Sequence, residues 1–109
     1  MDRRIEIVIN TIESQLDRSW EIGALSELVN LSPSRLRHLF KEETNTTLVQ
    51  FIKDLRFKRA EFLLRTTFLT IKEVSVAVGL TSVSYFAREF KRIYGVGPST
   101  YRLNSTPRR

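Results

Sequence analysis

Apolar residues recur along this chain at spacings of three and four, the period of a helix with one buried face. Ile5, Val8, Ile9, Ile12 and Leu16 predict a first helix over about residues 3–17. Ile22, Leu25, Leu28 and Val29 predict a short second. Leu36, Leu39 and Phe40 predict a third, opened by Ser32 as cap and Pro33 at the first helical position. Leu48, Phe51, Ile52, Leu55, Ala60, Leu63 and Leu64 predict a longer fourth over about residues 47–66. Ile71, Val74, Ala77 and Val78 give a fifth that ends at Gly79. Tyr85, Phe86 and Phe90 give a sixth that ends near Gly95. Pro98 to Leu103 reads as a short seventh. No segment alternates over the length of a strand, so the chain is expected to be all-α with seven helices.

The pattern repeats. Ile22, Leu25, Ser26, Val29, Leu31 and Ser32 match Ile71, Val74, Ser75, Val78, Leu80 and Thr81, each pair 49 positions apart. After one inserted residue, Leu36, Phe40, Lys41 and Phe51 match Phe86, Phe90, Lys91 and Tyr101, now 50 apart. Two copies are too few for a solenoid, which needs at least about three. Each copy instead reads as a short helix, a tight turn and a second helix. Ser26 and Ser75 are small where crossing helices come close. Asn30 and Gly79 stand where the first helix must stop, and both tolerate a left-handed backbone. Ser32 and Thr81 are placed to cap the second helix of each copy. This is the layout of a helix-turn-helix, whose second helix enters the major groove of DNA.

The faces of the second helices agree with that layout. Once Leu36, Leu39 and Phe40 turn inward, Ser34, Arg35, Arg37, His38 and Lys41 face outward. Once Phe86 and Phe90 turn inward, Val83, Ser84, Ala87, Arg88 and Lys91 do. Arginine pairs with guanine O6 and N7, serine donates or accepts, and valine or alanine meets a thymine methyl. The fourth helix contains no Gly or Pro, and twenty residues at ~1.5 Å each span ~30 Å. Successive major grooves on one side of B-DNA lie ~34 Å apart.

Composition sharpens this. Eighteen Lys and Arg against twelve Asp and Glu leave a formal charge of +6 on 109 residues, which favours a polyanion partner. There is no cysteine, hence no disulfide, thiolate nucleophile or Cys-based zinc site, and His38 is the only histidine. No nucleophile–base pair and no phosphate-cradling glycine loop is present. An enzyme is not expected, nor a metal or cofactor. No apolar run approaches the ~18 residues of a membrane span, and Met1 to Glu6 lacks the apolar core of a signal peptide, so the expected compartment is the cytoplasm, and a DNA-bound chain there is expected at the nucleoid. Trp20 is expected to pack over the junction of the first two helices. Arg56 and Arg59 suit an ion pair, a solvated position or a phosphate contact equally.

The second half carries a signature: Ile71-x-Glu73-Val74-x-x-x-Val78-Gly79-Leu80-x-x-x-Ser84-Tyr85-Phe86-x-Arg88-x-Phe90-Lys91-x-x-x-Gly95-x-x-Pro98-Ser99-x-Tyr101-Arg102. It resembles the DNA-binding domain of AraC/XylS-type bacterial transcription regulators. Arg56-Phe57-x-x-Ala60-x-x-Leu63-Leu64 is similar to the same family's linker helix, and the likeness covers about residues 5–103. The resemblance implies two helix-turn-helix subdomains joined by a linker helix, here residues 3–46, 47–66 and 67–103; the polar residues 104–109 are expected to form a disordered tail. It implies base contacts from Ser34, Arg37 and His38, with Arg35 at the edge of that set, and from Val83, Ser84 and Arg88, with Ala87 at its edge. Phosphate contact is assigned to Lys41 and Lys91, at equivalent positions, and to the hydroxyls of Ser32, Thr81 and Ser82. Ser75 and Leu80 depart from the family's frequent Ala and Phe as mild core changes. Val83 is a weaker base reader than the polar residues often found there.

The expected function is sequence-specific binding of double-stranded promoter DNA, with RNA polymerase as a further partner and activation of transcription as the usual consequence. A two-headed chain needs no dimer, so the module is expected to be monomeric. The alternative is a protein-interaction module whose basic faces dock RNA polymerase or another acidic partner. Many family members carry a separate effector or dimerisation domain, and none is present in these residues. A stand-alone regulator and a domain of a longer protein both fit, the latter better.

Overall fold

The computed structural model describes residues 1–105. Among these residues there are seven helices and no strand: α1 (Arg3–Ser14), α2 (Ile22–Leu28), α3 (Pro33–Thr44), α4 (Leu48–Thr66), α5 (Ile71–Ala77), α6 (Val83–Tyr94) and α7 (Pro98–Ser105). The expected all-α fold is present.

The helix ends have local causes. Ser32 opens α3, its side chain accepting from the Arg35 N–H at 3.1 Å, with Pro33 at the first helical position. Thr70 and Glu73 form a reciprocal capping box at the start of α5. Among the described residues four take the left-handed backbone: Asn30 (φ 56°) and Gly79 (φ 86°) after α2 and α5, Asn45 (φ 60°) and Gly95 (φ 85°) after α3 and α6. They match pairwise at the two offsets of the repeat, so the repetition extends to backbone conformation.

Three sequence expectations need correction. First, α1 stops at Ser14, short of the expected 17. Gln15 breaks the helix at φ −139°. Its carbonyl accepts the Trp20 indole N–H at 2.9 Å, and Leu16 still packs on the core from outside the helix. Apolar spacing outlasted the helix that produced it, and Trp20 does pack at the α1–α2 junction as expected. Second, the residue capping α6 is Ser82, which accepts from the Tyr85 N–H at 3.2 Å, and not Thr81. The inserted residue of the second copy is Thr81 itself, so the 50-residue offset already applies at the cap. Third, Asn104 and Ser105 belong to α7 rather than to a disordered tail, and the Ser105 hydroxyl donates to the Tyr101 carbonyl at 2.8 Å. The remainder of that tail lies outside the described residues.

The chain divides into two compact units, Met1–Leu55 and a second beginning at Arg56. The first is built on buried Ile5, Val8, Ile12, Leu25, Val29, Leu36, Phe40 and Leu48, with Phe51, Ile52 and Leu55 packed against them. The second is built on Phe57, Ala60, Leu63, Leu64, Val74, Val78, Phe86 and Phe90, with Tyr94 and Tyr101 packed against them. Fully burying one such aliphatic or phenyl side chain contributes about 1.5–3 kcal/mol.

Helix α4 is therefore not a separate spacer. Its first half closes the first core and its second half opens the second. Ile5, Val8 and Ile12 correspond at a constant 52 positions to Phe57, Ala60 and Leu64, all buried. Phe40 meets Phe51 edge-on at 5.2 Å, and Phe90 meets Tyr101 edge-on at 5.3 Å, both at 77°. Each unit is thus four helical segments in the same order, and α4 fuses the last segment of one to the first of the next.

Candidate nucleic-acid interface

In each unit the buried positions of the second helix fix which side chains remain outside. On α3, Leu36 and Phe40 are fully buried, and Ser34, Arg35, Arg37, His38 and Lys41 are all exposed. On α6, Phe86 and Phe90 are fully buried, Ser84, Arg88 and Lys91 are exposed, and Val83 and Ala87 are half-buried. Ser32, Thr81 and Ser82 stand exposed at the helix starts. The structure thus leaves every residue predicted for α3 exposed and brings Ser34, Arg37, His38 and Lys41 together along one groove. On α6 it withdraws Val83 and Ala87 partly into the surface.

The two faces differ in charge. On α3, His38 Nε2 lies 3.0 Å from Glu42 Oε1, one turn further along. The apolar pattern did not single out Glu42, although its i, i+4 spacing to His38 was there to be read. On α6, Arg92 donates through Nε and Nη2 to Glu89 Oε1, each at 3.1 Å, which raises its already high pKa. Arg88 lies over the Tyr85 ring at 5.9 Å. Beside the α3 face is a half-open groove of about 640 Å³. Trp20, Ile22, Leu25, Leu48, Val49 and Ile52 form its apolar lining, and Ser34, Arg37, His38, Lys41, Glu42 and Thr47 its polar lining.

The turn before each second helix is tied to the short helix before it. The Leu31 N–H donates to the Ser26 carbonyl at 3.0 Å, and the Leu80 N–H to the Ser75 carbonyl at 2.9 Å. The two buried serines then differ. Ser26 turns its hydroxyl back to the Gly23 carbonyl within α2, whereas Ser75 donates across the turn to the Leu80 carbonyl. Ser75 is thus an additional tie on the second turn, beyond the mild core change expected of it.

On α4, Arg59 is exposed with its guanidinium 5.3 Å from the Phe62 ring, and Arg56 is half-buried, its pKa lowered by burial. Among the described residues no group of three or more His, Cys, Asp or Glu is placed to hold a metal ion, and no helix is long and apolar enough to cross a membrane.

Two helix-turn-helix units with basic, solvent-facing second helices define a DNA-binding domain of the tandem helix-turn-helix class. A helix-turn-helix domain family matches residues 25–104. The arabinose operon regulatory protein of Escherichia coli (strain K12) is 36% identical over 103 residues, covering 94% of this chain and 35% of the relative. The transcriptional activator PerA of Escherichia coli O127:H6 is 36% identical over 97 residues, covering 89% and 35%. Among solved structures, the C-terminal domain of the two-component response regulator yesN from Fusobacterium nucleatum superposes with a TM-score of 0.85 at 30% identity, covering 93% of this chain and 99% of that one. The DNA-binding domain of AdpA, solved with a target DNA, has the same fold, with a TM-score of 0.88 at 21% identity over 94% of this chain and 93% of that one. The chain belongs to the AraC-type family of helix-turn-helix DNA-binding domains. That family comprises bacterial transcription regulators and is not enzymatic. The chain spans about a third of the length of the curated relatives it matches.

Proposed function

We propose that this domain recognises promoter DNA in a sequence-specific way through α3 and α6, set in successive major grooves. The observation that carries the reading is the pair of equivalent second helices, each with its apolar stripe buried and its cationic or short polar side chains exposed. On α3, Ser34, Arg37 and His38 read bases, with Arg35 at the edge. On α6, Ser84 and Arg88 do so, and half-buried Val83 and Ala87 offer only apolar contact to a thymine methyl. Lys41 and Lys91, with the hydroxyls of Ser32, Thr81 and Ser82, contact phosphates. The two cap hydroxyls already accept from backbone N–H groups, and each keeps its own proton to donate. The continuity of α4 over 19 residues supports use of both heads on one duplex.

We extend the reading to the partners. The matched relatives include activators, PerA among them, which favours contact with RNA polymerase while the domain is on DNA. Two reading helices in one chain favour binding as a monomer. The place of action is then the bacterial cytoplasm, at the nucleoid.

The test is selection of bound sequences from a random duplex pool at two salt concentrations. Two short motifs about one helical turn apart are expected. Log affinity should fall with log salt at about −0.9 per phosphate neutralised. A single motif would reduce one head, the Val83-bearing one first, to backbone contact. No enrichment at either salt would overturn the DNA reading in favour of a module that docks an acidic protein.

A further inference from the structure

We propose that Glu42 is a specificity-determining residue of the first unit: by fixing His38, it turns that histidine into a reader of bases that carry an exocyclic amine. This rests on the proposed function, in which α3 meets base edges.

Two glutamates follow one another near the end of α3, and they are used differently. Glu43 accepts the backbone N–H of Asp2 and so ties α3 to the start of α1. Glu42 faces outward and is exposed, with Oε1 3.0 Å from His38 Nε2. That contact is a hydrogen bond only if the proton sits on Nε2. A neutral imidazole has a single N–H, so Nδ1 is then left as an acceptor. The second oxygen of Glu42 is an acceptor as well. Amid the donors Arg35, Arg37 and Lys41, the His38–Glu42 pair therefore presents acceptors. In the major groove their complements are the N4 amine of cytosine and the N6 amine of adenine. Guanine O6 and N7 and thymine O4 are acceptors themselves and are left unmatched.

The other unit supplies the contrast. Fifty positions on, His38 corresponds to Arg88 and Glu42 to Arg92. There both of these exposed positions carry cations, and the carboxylate that holds Arg92 comes from half-buried Glu89. An outward carboxylate works against attraction to a polyanion, so Glu42 weakens general affinity. It contributes to recognition only through what it does to base choice. A pair that merely stabilised the helix would leave base choice untouched.

The test uses the whole chain and the operator found by selection with the unaltered protein. Failure of that selection would defeat the DNA reading itself and would be seen before any variant is made. Affinities are then measured at pH 8 on operators carrying each of the four bases at every position of the first unit's half-site. His38→Ala should erase a preference of about fivefold or more for cytosine or adenine at one position. Glu42→Ala should erase most of the same preference, while affinity for unrelated duplex rises about two- to threefold from the lost negative charge. Glu42→Gln, whose amide oxygen can still accept from Nε2, should restore part of the preference without the charge. Helix content by circular dichroism should be unchanged in all three, since both side chains are exposed. The proposal is overturned if Glu42→Ala keeps the preference that His38→Ala loses. It is equally overturned if the base lost with His38 is guanine or thymine, or if Glu42→Ala weakens every sequence alike.

Discussion

The two units run through the same four helical segments, yet their cores are made differently. The first is largely aliphatic: Ile5, Val8 and Ile12 of α1 pack with Leu25, Leu36 and Leu48, and one ring pair, Phe40 with Phe51, closes it. The second is a connected set of rings. Phe57 stacks on Phe86 at 5.8 Å, and Phe90 touches Phe86, Tyr94 and Tyr101 at 5.8, 4.5 and 5.3 Å. The Tyr94 hydroxyl donates to the Phe57 carbonyl and Arg102 Nε to the Leu64 carbonyl. Entry into the first short helix differs too. Glu21 provides no side-chain cap to α2, whereas α5 begins with the full Thr70–Glu73 box. One arrangement is thus held by two chemistries. What the repeat preserves is where a side chain is buried and where the backbone turns left-handed, not which atoms fill the space.

The largest test of that comparison removes one ring from each core. Phe40→Ala and Phe90→Ala should each cost about 3–5 kcal/mol, with Phe90 toward the upper end because it meets three rings rather than one. Urea unfolding followed by circular dichroism measures the cost. Residue-resolved amide exchange should show Phe40→Ala loosening α1–α3 and Phe90→Ala loosening α5–α7. Equal loosening of every helix by either variant would mean that the units do not act separately.

A smaller test concerns the left-handed stops. Nothing lies within 4 Å of a Cβ built on Gly95, so Gly95→Ala isolates backbone strain at φ +85° and should cost about 1–2 kcal/mol. Asn45→Gly, at the equivalent stop of the first unit, should change stability by only a few tenths of a kcal/mol, because Asn already tolerates the left-handed region.

The serines should differ less. Ser75→Ala removes the hydroxyl that donates to the Leu80 carbonyl, at a cost of about 1 kcal/mol, the net worth of one hydrogen bond. Ser26→Ala should cost less, because the Gly23 carbonyl that its hydroxyl meets lies one turn back within α2.

The smallest effect is expected in acid. Asp2, which caps α1, is held down to about 2 by the Arg4 guanidinium and backbone N–H, and Glu73 is lowered by the Thr70 N–H and hydroxyl. Both folded-state values lie below the unfolded ones. Their contribution is therefore complete above the ordinary carboxylate range and is lost as pH falls through the lowered values. Asp2→Asn and Glu73→Gln should each lower thermal stability slightly at neutral pH and flatten its decline between about pH 5 and about pH 2, so that variant and unaltered protein converge in acid. A steeper decline in either variant would mean that the carboxylate is unfavourably placed.

The sequence alone determined whatever depends on local spacing and on a residue's own backbone preference. Seven apolar periods, Ser32 with Pro33 at a helix start, and Asn30 and Gly79 at stops specify the helices and the turns between them. The outward positions follow as the complement of the buried stripe, so Arg35, Arg37, Lys41, Arg88 and Lys91 were legible as an exposed cationic set, with His38 among them on α3. Tertiary structure decided what depends on atoms distant in the chain or on a choice between near-equivalent neighbours. Thr81 and Ser82 both carry a hydroxyl, and only the position at which α6 starts selects Ser82. Leu16 keeps the apolar period, but the Gln15 carbonyl, turned to the Trp20 indole, ends α1 before it. Ser75 reads as a small residue until the turn brings the Leu80 carbonyl to its hydroxyl. The second half of α4 reads as linker until Phe57, Ala60 and Leu64 are seen to fill the places that Ile5, Val8 and Ile12 fill in the first unit. The physical reason is common to all four. Periodicity reports which face is buried, and only packing reports which partner buries it.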